Sequence, residues 1–118
     1  MSALFDAPIL QLTRGMDIAL GRQNLINSNI ANLETPGFVP HDVDFASALE
    51  AALAAPQGSA TELETTLSPD KAASANGNLV DLDIQMGRLS QNSIFYGAQT
   101  RAVSRKLAML KYAAGEGA

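Results

Sequence analysis

Apolar residues recur every three or four positions through two long stretches, one near each end of the chain. In the first, Ile9, Leu12, Met16, Ala19, Gln23, Ile26, Ile30 and Leu33 keep a strict 3-4 spacing, and all but Gln23 are apolar. That is the period of an α-helix packed along a partner, and it predicts a helix over about residues 8–33. Asp6 then stands as its N-terminal cap and Pro8 falls in its first turn, where a missing N–H costs nothing. In the second stretch, Leu82, Met86, Leu89, Ser93, Tyr96, Thr100, Val103, Leu107 and Leu110 alternate 4-3. A second helix is predicted there, over about residues 81–113. Asp81 and Asp83 complement the positive end of its dipole, and Arg105, Lys106 and Lys111 the negative end.

The two seams predict an all-α chain whose terminal helices, ~39 and ~50 Å long at 1.5 Å per residue, pair as an antiparallel coiled coil. Each helix is also apolar on its far side, through Ile18 and Leu25 on the first and Ile84, Phe95, Ala98, Ala102 and Met109 on the second. Helices of this kind expect neighbours on two sides, and a compact bundle with a third helix taken from 43–55 accounts for the same pattern. Gly15, Gly21, Gly87 and Gly97 fall inside the helices and cost about 1 kcal/mol each relative to alanine. The ends of such helices are expected to order fully only on assembly.

Between the seams, Asn32 followed by Thr35-Pro36-Gly37-Phe38 stops the first helix. Proline disfavours the α region for Thr35, and Pro-Gly fits the two central positions of a type II turn, with positive φ at Gly37. Residues 43–53 read as a short helix with Phe45, Leu49 and Leu53 on one side, ended by Pro56-Gln57-Gly58. Residues 56–78 carry no sustained period and read as an extended, partly mobile loop with room for a short hairpin. The chain is thus expected to be one domain, 1–118, made of an N-terminal helix (1–33), a turn, short helix and loop (34–80), and a C-terminal helix (81–118).

Composition narrows the chemistry. There is no cysteine, which removes thiolate catalysis, disulfides and Cys-based metal sites. No basic n-region with an apolar run opens the chain, and no stretch approaches the ~20 apolar residues of a membrane span, so neither a Sec-type signal nor membrane insertion is expected. His41-Asp42-Val43-Asp44 is the one cluster of catalytic residue types, and it lacks the three or four converging ligands of a metal site or the nucleophile and pocket of an enzyme. The cations of the last helix have no interleaved aromatic platform for nucleic acid. Catalytic, metal and cofactor residues are therefore expected to be none, with no small-molecule substrate. Charge is unevenly spread: residues 34–83 carry nine acids against Lys71 alone, whereas Arg88, Arg101, Arg105, Lys106 and Lys111 face only Glu116 in 84–118.

The motifs carry a resemblance. Ser28-Asn29-Ile30-Ala31-Asn32 followed by Thr35-Pro36-Gly37-Phe38 resembles the signature of bacterial flagellar axial proteins, the rod and hook subunits. The segment from His41 through Asp42-Val43-Asp44-Phe45 to Leu49 is similar to the one that follows the turn in proximal rod subunits. Gly77-Asn78-Leu79-Val80-Asp81-Leu82-Asp83-Ile84-Gln85-Met86 is similar to the opening of their last helix. Val39-Pro40 and Gly97 depart from the pattern.

The resemblance implies a non-enzymatic subunit of the basal-body rod, polymerising through its terminal helices into a hollow helical shaft that transmits torque and encloses the export channel. The nine motif residues would then form an assembly element. Implied partners are further copies and other rod subunits, an adaptor joining the rod to the membrane ring or export gate, and the flagellar type III export apparatus. The implied location is a rod spanning the periplasm, reached without a cleaved signal. Phe5 and Ile9 match the Phe-x-x-x-apolar pattern shown to the export gate. A cytoplasmic adaptor or export chaperone built of the same helices is the alternative.

Overall fold

The computed structural model describes residues 2–55, 63–70 and 77–115, with side chains from residue 6 onward. Among them are three helices, α1 (Ser2–Ala31), α2 (Phe45–Ala54) and α3 (Leu82–Ala113), and two short strands, β1 (His41–Asp42) and β2 (Thr66–Leu67). α1 begins six residues before the start expected at Pro8, so Asp6 does not cap it and Pro8 lies inside it. Proline's lost N–H forfeits one bond to the carbonyl of Leu4, and the continuing helix absorbs that loss. At the other end the Asn32 side chain donates to the Ser28 carbonyl (2.8 Å) and closes the last turn.

α1 and α3 pack along one another in opposite directions. Gly15 meets Gln99, Ala19 meets Asn92, and Asn29 meets Gln85, so the contacts descend α3 as they ascend α1. The other side of α1 is covered by α2. Ile18, Val43, Ala48 and Ala52 form a buried cluster with Leu25, Phe45, Leu49 and Leu63 against it. The short helix therefore supplies the neighbour that Ile18 and Leu25 require. Asp44 caps α2 by accepting from the Ala46 and Ser47 N–H groups. Ala48 and Ala52 turn inward, while Leu53, expected on the packed side, is exposed.

A hairpin within 56–78 is not what forms among the described residues. β2 pairs antiparallel with β1, His41 opposite Leu67, and the Ser68 N–H adds a bond to the Pro40 carbonyl (2.8 Å). This brings Leu63 over α1 at Gly21, where a Cβ would collide with the leucine side chain. The molecule is elongated, 65 × 28 × 17 Å.

Ile18 has no exposed surface, so Ile18→Ala removes methylene groups from the junction of α1 and α2 and is expected to cost about 2–5 kcal/mol, with Ile18→Val nearer 1. Urea unfolding followed by circular dichroism measures both; equal stability of Ile18→Ala and the parent chain would contradict this core.

Candidate functional site

Thr35 to Phe38 form a closed turn, the Phe38 N–H donating to the Thr35 carbonyl (3.2 Å). Gly37 has φ 76°, the positive value that a type II turn demands where a side chain would be strained. The turn is docked: the Gly37 N–H donates to the Gly77 carbonyl (3.1 Å), at the segment that leads into α3. The stop of α1 and the start of α3 are thereby tied together. Asp81 caps α3 by accepting from the Asp83 (2.9 Å) and Ile84 (3.4 Å) N–H groups.

The interface between α1 and α3 is held by amides. Asn29 is buried, and its Nδ2 donates to the His41 carbonyl (2.8 Å) and to Gln85 Oε1 (3.1 Å) while its Oδ1 accepts from the His41 N–H (3.0 Å). Asn92, also buried, donates to the Ala19 carbonyl (2.8 Å). Gln99 sits over Gly15, where a Cβ would collide with its amide nitrogen, and its Oε1 is buried with no donor among the described residues. The three amides are spaced by seven on α3, where Gln99, Asn92 and Gln85 meet Gly15, the Ala19 carbonyl and Asn29 of α1. Arg22 and Asn92 line one cleft. The heptad row at the centre of the interface is therefore polar, and polar groups at such positions fix register at some cost in stability.

An ionic network extends from the last rung. Gln85 Nε2 and the Asp81 N–H both donate to Asp70 Oδ2 (2.7 and 3.0 Å), and Arg88 lies 3.1 Å from Asp70 Oδ1. Arg22 grips Asp42 through two nitrogens (2.9 and 3.3 Å), with the Arg88 Nε 3.9 Å from the same carboxylate. Burial alone pushes the Asp42 carboxyl up. The Arg22 hydrogen bond, the Val43 N–H and the charges of Arg22 and Arg88 outweigh it and hold the pKa below the ordinary value. α1, β1, the segment after β2 and α3 all meet in this network.

The nine motif residues gather at one end of the molecule, but only Asn29 is buried; Ser28, Ala31, Thr35, Pro36 and Gly37 are exposed, and Ile30, Asn32 and Phe38 half-buried. Of the seam on α1, Ile26 is buried and Ile9, Leu12, Met16, Ile30 and Leu33 are half-buried. On α3, Leu89, Tyr96, Val103 and Leu110 are half-buried towards α1, while Leu82, Met86 and Leu107 are exposed, at 42, 47 and 46 %. Beside the row of Leu89, Tyr96, Val103 and Leu110, the buried positions are Gln85, Asn92 and Gln99 and not Met86 and Leu107. The helix is turned so that its amides reach hydrogen-bond partners on α1. The side chain of Phe5 lies outside the described residues, as does most of 56–78.

Sequence reasoning missed Arg22, Asp42, Asp70, Gln85, Arg88, Asn92 and Gln99. The spacing of seven along α3 was the signal available for the amides. Among the described residues no group of three or more His, Cys, Asp or Glu is placed to hold a metal, and no helix is long and apolar enough to cross a membrane. The arrangement fixes how two helices meet.

No protein-family model matches the chain. It is similar to the flagellar basal body rod protein FlgB of Bacillus subtilis (strain 168), 29% identical over 121 aligned positions that cover 92% of this chain and 94% of the relative. The FlgB of Aeromonas hydrophila is 29% identical over 134 positions, covering 98% and 99%. That of Escherichia coli (strain K12) is 25% identical over 123 positions, covering 86% and 88%.

Because its folded pKa is lowered, Asp42 adds stability that is complete above the ordinary carboxylate pKa of about 3.9 and is lost as pH falls through the depressed value. Asp42→Asn is expected to cost about 1–3 kcal/mol at pH 7 by leaving Arg22 without its partner. It should also flatten the loss of stability on acidification below about pH 4. Urea midpoints across pH 3–7 for both chains measure the difference; parallel curves would remove Asp42 from the network.

Proposed function

We infer, from a chain similar along most of its length to the FlgB flagellar basal body rod proteins, that it is a structural component of the flagellar basal-body rod with no enzymatic role. One observation carries the reading beyond the likeness. α3 turns amides towards α1 and leaves Leu82, Ile84, Met86, Ile94, Leu107 and Met109 at the surface. A helix that spends its polar residues on its own chain and presents apolar ones outward is suited to packing against other chains.

On this reading α1 and α3, paired as an antiparallel coiled coil, form the part that enters a helical tube beside further copies and other rod subunits. A heterologous contact repeated around that lattice gives an open assembly. The tube transmits torque across the periplasm and encloses the channel through which later subunits pass. An adaptor joins its base to the membrane ring or export gate. The chain reaches the rod through the flagellar type III apparatus without cleavage, with Phe5 and Ile9 shown to the gate. The Asn29 to Phe38 stretch serves as the junction that ends one wall-forming helix and registers it against the other.

Cell fractionation tests this directly: the protein should co-purify with detergent-extracted basal bodies. Recovery from the cytoplasm alone would instead select the adaptor or chaperone alternative. Gly37→Val forces a β-branched residue to positive φ, a strain of about 1–3 kcal/mol. It is expected to leave secretion near normal while abolishing incorporation into basal bodies and motility; normal motility would remove the turn from the assembly element.

A further inference from the structure

α2 covers one side of α1 without closing on α3. Its Phe45 and Leu49 stand across a gap from Phe95, Ala98 and Ala102 of α3. The two phenylalanines bridge that gap edge to face, with ring centroids 4.6 Å apart. Beyond them the small side chains of Ala98 and Ala102 leave a cleft of about 540 Å³, walled on the α1 side by Pro8 and Leu12 and with Lys106 at the end away from the phenylalanines. Arg101 and Arg105 line a second cleft, which adjoins the first through Ala98, Ala102 and Lys106. The exposed acids Asp6 and Glu50 line neither. None of Arg101, Arg105 and Lys106 makes an ion pair among the described residues. One polar group is left unfinished here. Gln99 lines the first cleft and is only 8 % exposed, yet its Oε1 is hidden from solvent and has no donor among the described residues. Buried amide oxygens are ordinarily paired. The last torsion of a glutamine is soft, so a small turn of the amide brings this oxygen to a donor that arrives through the cleft.

We propose that this cleft takes a tyrosine side chain of another protein, presented beside an acidic residue. The walls are apolar and partly aromatic, and Phe95, 41 % exposed, leaves part of its ring open for a third ring to pack against. Gln99 requires an O–H or N–H inside the cleft, and tyrosine alone among the side chains ends an aromatic body in an O–H. The phenol therefore buries its ring between α2 and α3 and donates to Gln99 Oε1. Lys106, with Arg105 and Arg101 next to it, attracts the carboxylate that accompanies the ring, and this charge complementarity sets which tyrosines are accepted. The site is read from the side chains of this chain alone and does not depend on its assignment to the rod.

Titration of the isotope-labelled full-length chain, followed by nuclear magnetic resonance, tests this with the capped peptide Ala-Asp-Tyr-Asp-Ala as the probe. The peptide with Phe in place of Tyr should bind about tenfold more weakly, having lost one hydrogen bond. The peptide with Asn in place of both Asp should bind about threefold more weakly. Gln99→Leu keeps the size of the side chain and should bind the Tyr and Phe peptides equally. Ala102→Leu fills the cleft and should bind neither, with circular dichroism confirming that each variant is helical. Equal affinity of the parent chain for the Tyr and Phe peptides overturns the proposal without recourse to any variant. A preference for Tyr that survives in helical Gln99→Leu also overturns it. So does tighter binding of free para-hydroxyphenylacetate, which makes the occupant a small phenolic acid, or a self-association that Tyr112→Phe abolishes, which makes it a second copy of the chain.

Discussion

An amide that leaves water must find its hydrogen bonds where it lands, and the packing of α1 on α3 is organised by that demand. A buried amide without partners costs about 1–3 kcal/mol in a protein. Asn29, Gln85 and Asn92 escape that cost only at one rotation and one register of the two helices, since their partners are the His41 main chain, each other, Asp70 and the Ala19 carbonyl. Leucines in the same row would have stuck more firmly and specified less. With the polar row turned inward, Leu82, Ile84, Met86, Ile94, Leu107 and Met109 of α3 are left at the surface. The apolar surface of α3 is therefore set by bonds inside the chain.

The parts of the fold with strong local causes were legible in the sequence. Both long helices follow from sustained periodicity, the bend after Asn32 from the chemistry of Pro36 and Gly37, and the start of α3 from Asp81. Pro8 misled because a proline is usually read as a beginning, whereas a helix already under way tolerates one lost bond. The apolar residues of the seam on α3 differ in burial for a physical reason. Leu89, Tyr96, Val103 and Leu110 are half-buried, and hydrophobicity assigned the neighbouring row to Met86 and Leu107. Burial of amides is decided by whether partners stand opposite, and those partners lie more than fifty residues away in the chain.

The ionic network was hidden for the same reason. Asp42 and Asp70 look like members of an acidic stretch, and nothing local marks them as the two carboxylates that Arg22 and Arg88 reach. The pairing of β1 with β2 brings them together. Gln85 then links Asp70 to Asn29, accepting from Asn29 and donating to Asp70, so the turn motif and the network are joined by two hydrogen bonds through one side chain.

That linkage has a consequence for how such a chain can diversify. Asp70 and Gly77 flank a short stretch and both are hydrogen-bonded, Asp70 to the Leu79 carbonyl and Gln85, Gly77 to the Gly37 N–H. Lengthening the chain between two pinned points costs entropy only as the logarithm of the added length. An insertion there, even one large enough to fold by itself, would spare the hydrogen bonds that Asn29, Gln85 and Asn92 make, so the chain can grow between these two points without moving α1 against α3.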